Sequence, residues 1–176
     1  RPLVLRVFEC LKAMTEDVFV MMDRPEDYAF LGIQLYPDLE PECGILGGLA
    51  GALHATKNPL VALVACDLPF ASSALFEHER DRMVASGADV VIPSTAQGLE
   101  PLHAVYRRET CLPVIRKALE AGKLKMTSWL PEVKTEIVPP EMTTRFDPHG
   151  LVFWNLTTPD EFRRAEECRR PACDLA

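Results

Sequence analysis

The reading of this chain turns on Leu60-Val61-Ala62-Leu63-Val64-Ala65-Cys66-Asp67-Leu68-Pro69. Its apolar residues run without alternation. A strand of that kind is apolar on both faces and reads as the central strand of a parallel sheet with helices on both sides. Asp67 follows at once, and Pro69 stiffens the turn behind it. In open α/β sheets ligands bind beyond the carboxyl ends of the strands. A carboxylate there is placed to hold Mg²⁺ against phosphate oxygens. Asp67 could equally cap the helix predicted to begin at Ala71.

Outward from that strand, helical and strand patterns alternate. Leu3, Val4, Val7, Phe8 and Leu11 have helical spacing. Residues 17–23 read as a short apolar strand with an acidic exit, and 33–36 as another, followed by Pro37-Asp38. A small-residue helix is predicted over 47–56, and a second helix over 71–86 with Gly87 as its C-terminal cap. Strands follow at 89–92 and 101–107, then a helix over 110–121 ending at Gly122. A short helix at 125–130 precedes Pro131. Strands are expected at 135–138, on an edge, and at 153–155. A charged helix over 159–170 is capped by Thr158, with Asp160 and Glu161 in its first turn. Residues 93–100 and 139–148 are the longest irregular stretches and candidate rims of a site. This alternation predicts an α/β sandwich around a mostly parallel central sheet.

Composition narrows the class. With 176 residues, 48% apolar and 26% charged, the chain reads as one globular domain, 1–176, with no need of a disulfide or metal to fold. A net charge of -7 argues against a protein held to nucleic acid by bulk positive charge. No apolar run is long enough for a membrane span. The six cysteines are scattered without a CxxC pair and read as reduced thiols of a cytoplasmic protein. The chain opens Arg1-Pro2-Leu3 with no Met and enters a helix at once. That predicts residues missing at this end.

Other candidates are weaker in isolation. Cys43-Gly44-Ile45-Leu46-Gly47-Gly48 reads as a glycine-rich loop entering a helix, whose amides could hold a phosphate or a base edge. It could also be a tight turn, with Gly48 and Gly51 serving packing. Asp38 could accept from a base or ribose, or sit in a turn. Asn155 could ligate a metal or phosphate, or tie a strand end to the next helix. His54 and His78 read as surface or structural residues, and His103 could point either way. Cys66 has no assignable partner and reads as core.

Taken together, these motifs resemble the molybdenum-cofactor guanylyltransferases, which make molybdopterin guanine dinucleotide. GILGG at 44–48 looks like the family's Gly-Pro-Leu-x-Gly loop, and LVACDLP at 63–69 like its strand ending Cys-Asp-x-Pro. EPLHAVYR at 100–107 and FWNLTTPDEF at 153–162 look like its late strand and its Asn-Thr-Pro ending, and PLVLRVFECL at 2–11 like the helix after its opening loop. The resemblance implies a three-layer Rossmann-like sandwich of the nucleotide-diphospho-sugar transferase type. It implies transfer of GMP from GTP to molybdopterin with Mg²⁺. Asp67 would be the catalytic and metal residue. Asp38, Gly44, Ile45, Leu46 and Gly47 would lie beside the nucleotide, with Pro101 and Asn155 on the pterin side. A molybdoenzyme maturation protein is the implied partner.

Three departures accompany the resemblance. Ile45 stands where Pro is usual, and Thr157 where a second Asn is usual. The family's opening Gly-Gly loop with its Arg and Lys, which cradles the triphosphate, does not appear. The chain as it stands is therefore expected to have little activity, and restoring that loop to restore it. The same fold with CTP or a sugar or alcohol phosphate is an alternative, as is a non-catalytic homologue that binds a pterin or a partner enzyme.

Overall fold

The computed structural model describes residues 2–38 and 40–167. Helix α1 (Leu3–Lys12) leads to β1 (Val20–Met22) and β2 (Leu35–Pro37). Helix α2 (Gly44–Ala55) and β3 (Leu60–Val64) follow, then α3 (Ser73–Ser86). Next come β4 (Val90–Thr95), β5 (Gly98–Leu99), β6 (His103–Arg107) and α4 (Arg108–Glu120). The described chain ends with β7 (Thr135–Val138), α5 (Pro140–Phe146) and α6 (Pro159–Glu167). Residues 168–170 of the expected last helix lie outside the described residues.

Among the described residues the strands form two sheets. β1 and β2 pair in parallel. The larger sheet has five strands, with β6 between β3 and β4 and antiparallel to both. β5 folds back antiparallel on β4 as a hairpin, and only β7 joins β4 in parallel. The expectation of a mostly parallel central sheet is therefore overturned. The reason is chain length between elements. Parallel neighbours need a crossover of a dozen or more residues, whereas the segment between β4 and β6 is short and turns directly back. The reversed β6 then occupies the place between β3 and β4, which point the same way.

The alternation of β4 and β6 builds three layers. Val90 and Ile92, with Ala104 and Tyr106, pack under Leu46, Leu49 and Leu53 of α2 and Cys111 and Ile115 of α4. Val91 and Val105 face the opposite way, against Phe76 and Met83 of α3. Leu11 of α1 and Met142 of α5 border that second layer. Each fully buried Leu or Phe contributes about 1.5–3 kcal/mol over leaving it exposed.

Several local expectations are corrected. β3 is apolar on both faces, yet all five residues are only half-buried and, among the described residues, it pairs with β6 alone. It is an edge strand of its sheet. Residues 139–148 contain α5, because Pro140 is preset for a first helical turn. Residues 93–99 extend β4 and form its hairpin with β5. No strand forms at 153–155, where the chain makes a turn before α6, and 125–129 are turns. Gly87 and Gly122 do take positive φ, 65° and 71°, at the ends of α3 and after α4. Among the described residues, no helix is long and apolar enough to cross a membrane.

Candidate functional site

The exits of three strands border one cavity of about 670 Å³: Asp23 after β1, Asp38 after β2, and Cys66-Asp67 after β3. The charged residues that line it are Asp17, Asp23, Asp38, Asp67 and Arg80. Arg80 is itself paired with Asp81 at 2.8 Å. Asp17 lies at the entry end of β3, where it accepts from Thr56 and Asn58, so the acids at the strand exits are Asp23, Asp38 and Asp67, which repel a phosphate chain unless a cation intervenes.

Asp67 sits in a series of tight turns. Ala65 N–H donates to Leu102 O at 3.0 Å, Leu68 N–H to Ala65 O at 3.2 Å, and Ala71 N–H to Leu68 O at 3.2 Å. Asp67 O accepts from Leu156 N–H at 3.0 Å, which ties the turn to the segment before α6. Its side chain does not cap α3. Ser72 does, accepting from Leu75 N–H. Asp67 Oδ1 is buried and, among the described residues, has no hydrogen-bond partner. An orphaned carboxylate oxygen at a cavity wall is a costly arrangement that a ligand can relieve.

The glycine-rich segment is not a loop before a helix. Gly44 is already the first residue of α2, at φ 59° and ψ -148°. Among the described residues no side chain caps this helix, and the Gly44 N–H donates to Pro41 O of the preceding turn. Gly44, Ile45 and Gly48 line the cavity. Leu46 is wholly buried in the core instead, and Gly47 packs so closely that a Cβ would lie 2.7 Å from Glu40 O. A Cβ on Gly48 would come 3.8 Å from Asp38 Oδ2, so the Asp38 carboxylate lies beside this helix. Its other oxygen accepts from Glu40 N–H at 3.0 Å.

Pro101 and Asn155 do not line the cavity. Both flank residues bonded to the Asp67 turn, Leu102 and Leu156. Asn155 is exposed, and Pro101 O accepts from Tyr106 Oη at 2.6 Å. Cys66, read as core, is exposed at the cavity rim. Sequence pattern does not mark Asp23 as a site residue. Its position after an apolar run was visible, but only the pairing of β1 with β2 brings its exit beside that of Asp38. Among the described residues, no cluster of three or more His, Cys, Asp or Glu could hold a metal by itself.

A three-layer α/β domain with acidic strand exits beside a glycine-led helix start is the architecture of a nucleotidyltransferase. The signature of the MobA-like NTP transferase domain matches residues 1–135, and the chain belongs to that family. It is similar to the molybdenum cofactor guanylyltransferase of Desulfosudis oleivorans, 29% identical over 94% of this chain and 81% of the relative. A probable molybdenum cofactor guanylyltransferase of Pelotomaculum thermopropionicum is 30% identical over 93% and 78%. The structure of molybdopterin-guanine dinucleotide biosynthesis protein A from Archaeoglobus fulgidus superposes with a TM-score of 0.78. It is 25% identical, covering 94% of this chain and 84% of that one. The 4-diphosphocytidyl-2C-methyl-D-erythritol synthase of Anaerococcus prevotii, at 12% identity and a TM-score of 0.70, shares the fold.

Proposed function

We propose that this chain belongs to an enzyme that transfers GMP from GTP to molybdopterin, giving the guanine dinucleotide cofactor and pyrophosphate. The family, and guanylyltransferase relatives along nearly the whole chain, support that reading. The observation that carries the chemistry is the buried, unpartnered Asp67 Oδ1 beside the strand exits. A terminal phosphate oxygen of molybdopterin attacks the α-phosphorus of GTP. The bond from that phosphorus to the bridging oxygen breaks, and the electron pair leaves with pyrophosphate. The attacking oxygen is already anionic, so no side chain has to remove a proton from it.

Mg²⁺ fits the residues present, because it is ordinarily bound through one or two carboxylates plus substrate phosphates rather than a full protein cage. Asp67 would hold it, and the ion would screen the phosphate charge and polarise the reacting oxygens. The start of α2, at Ile45, turns the positive end of the helix toward the nucleotide. Asp38, next to Gly48, is the acceptor for ribose or base. Pro101 and Asn155, beside the Asp67 turn, face the acceptor. The place of work is the cytoplasm, with a molybdoenzyme maturation protein receiving the product.

The test is titration of the chain with GTP by calorimetry, with and without Mg²⁺, on the unaltered protein and Asp67→Asn. Binding that needs Mg²⁺ and weakens at least tenfold in Asp67→Asn is expected, with melting within a few degrees of the unaltered protein. Equal affinity in the two proteins removes Asp67 from the site. Tighter binding of CTP than GTP refutes the choice of nucleotide.

A further inference from the structure

Glu79 and His103 are charged or titratable residue types with no exposed surface at all. They lie outside the cavity. His103 opens β6, and Glu79 projects from the middle of α3. The imidazole stacks flat on Phe76, 3.7 Å between ring centroids and 6° apart, and meets Phe153 edge-on at 5.6 Å. Those two contacts hold the plane of the ring. Its Nε2 accepts the main-chain N–H of Ser72 at 3.2 Å, and its Nδ1 lies 3.3 Å from Glu79 Oε1.

Ser72 is where the Asp67 turn ends and α3 begins. The turn starts at Ala65, whose N–H is held by Leu102 O. Neighbouring residues at the start of β6, Leu102 and His103, therefore clamp both ends of the segment 65–72. Asp67 lies between the clamps. An imidazole nitrogen that accepts an amide proton carries no proton of its own, so the ring's proton is on Nδ1 and is donated to Glu79 Oε1. The carboxyl thereby selects the tautomer, as the partners of metal-binding histidines do at their far nitrogen. Burial favours the same arrangement by raising the carboxyl and lowering the imidazole from their ordinary values, which keeps the ring uncharged.

We propose that Glu79 and His103 are a positioning pair for Asp67, in which Glu79 fixes the Nδ1–H tautomer of His103 and His103 closes the Asp67 turn through Ser72 N–H. This rests on Asp67 being the working carboxylate of the cavity. Neither residue touches the nucleotide. Their effect is on where the Asp67 carboxylate is held, and hence on the Mg²⁺-dependent part of binding.

The test has a structural arm and a functional arm. Nitrogen NMR of ¹⁵N-histidine-labelled protein should show His103 with a protonated Nδ1 and a bare Nε2. Glu79→Gln keeps an acceptor oxygen and should keep that signature. Glu79→Leu removes it and should give mixed tautomers and faster exchange of the Ser72 amide. Mg²⁺-dependent GTP affinity should fall at least fivefold in Glu79→Leu and return in Glu79→Gln, while any Mg²⁺-independent binding is unchanged. A protonated Nε2 in the unaltered protein overturns the proposal without any variant. So does a Glu79→Leu protein that keeps both the tautomer and the affinity. If the NMR result holds and the unaltered protein shows no Mg²⁺-dependent GTP binding, the reading of Asp67 has failed and the proposal falls with its premise. The tautomer then stands only as a feature of the fold.

Discussion

At the residue scale, the short segment 44–47 divides into unlike roles. Ile45 is 58% exposed and Leu46 is fully buried. Leu46→Ala should therefore destabilise the protein by about 2–5 kcal/mol through the cavity it leaves, read as a shift of the denaturant midpoint. Ile45→Ala should change stability by no more than about 0.5 kcal/mol. A similar loss in both would mean that α2 is turned differently on the sheet. The glycines also differ. Gly44 needs a backbone conformation costly for other residues, about 1–3 kcal/mol, with open space where a Cβ would stand. Gly47 needs room, because Glu40 O and Cys43 Cβ would lie at 2.7 and 2.8 Å. Gly44→Ala should weaken GTP binding as well as stability, whereas Gly47→Ala should cost stability alone. Motif spacing marked both glycines and could not separate them, since which face of α2 each occupies depends on what packs against it.

At the element scale, the Thr158 cap of α6 was legible in Thr158-Pro159-Asp160-Glu161, and the structure makes it reciprocal. Glu161 Oε2 accepts from the N–H groups of Thr157 and Thr158 at 2.8 Å each, and Thr158 Oγ1 accepts from Glu161 N–H. The Thr157 amide first, then that of Thr158, hold the Glu161 carboxyl below its ordinary value. A depressed carboxyl stabilises the fold fully above the unfolded value, about 4.3, and that support fades as pH falls through the folded value. The Thr157 and Thr158 amide resonances should therefore move together in acid titration and stay fixed in Glu161→Gln. The edge strand β3 makes a second element-scale prediction. Pro59 O accepts from Arg108 N–H and Ala65 N–H donates to Leu102 O, so the amides of Val61 and Leu63 face β6. Those of Leu60, Ala62 and Val64 face the cavity. Hydrogen exchange should alternate along the strand, slow at 61 and 63 and fast at 60, 62 and 64. Uniform slow exchange would show β3 paired on both sides.

At the scale of the whole molecule, the buried Glu79 opposes the fold as pH rises. Burial lifts its carboxyl above the unfolded value, so the folded protein holds a proton that the unfolded chain has released. Stability should be greatest below about pH 4.3 as far as this group is concerned, and decline upward from there toward the folded value. Glu79→Gln should remove that slope and raise the melting temperature more at pH 8 than at pH 5. An equal shift at both would place the carboxylate in contact with water. The sequence by itself determined most of the helices and most of the strands, the caps at Gly87, Gly122 and Thr158, and the family. These follow from apolar period, turn chemistry and short motifs, all of which act between near neighbours in the chain. Only the tertiary structure decided that β6 lies reversed between β3 and β4, that the all-apolar β3 stands at an edge, and that His103 is walled in under the Asp67 turn. Strand direction is set by the length of connections and by which edge is free when the chain returns. The surroundings of a lone His or Glu come from residues distant in sequence, so no local pattern records them.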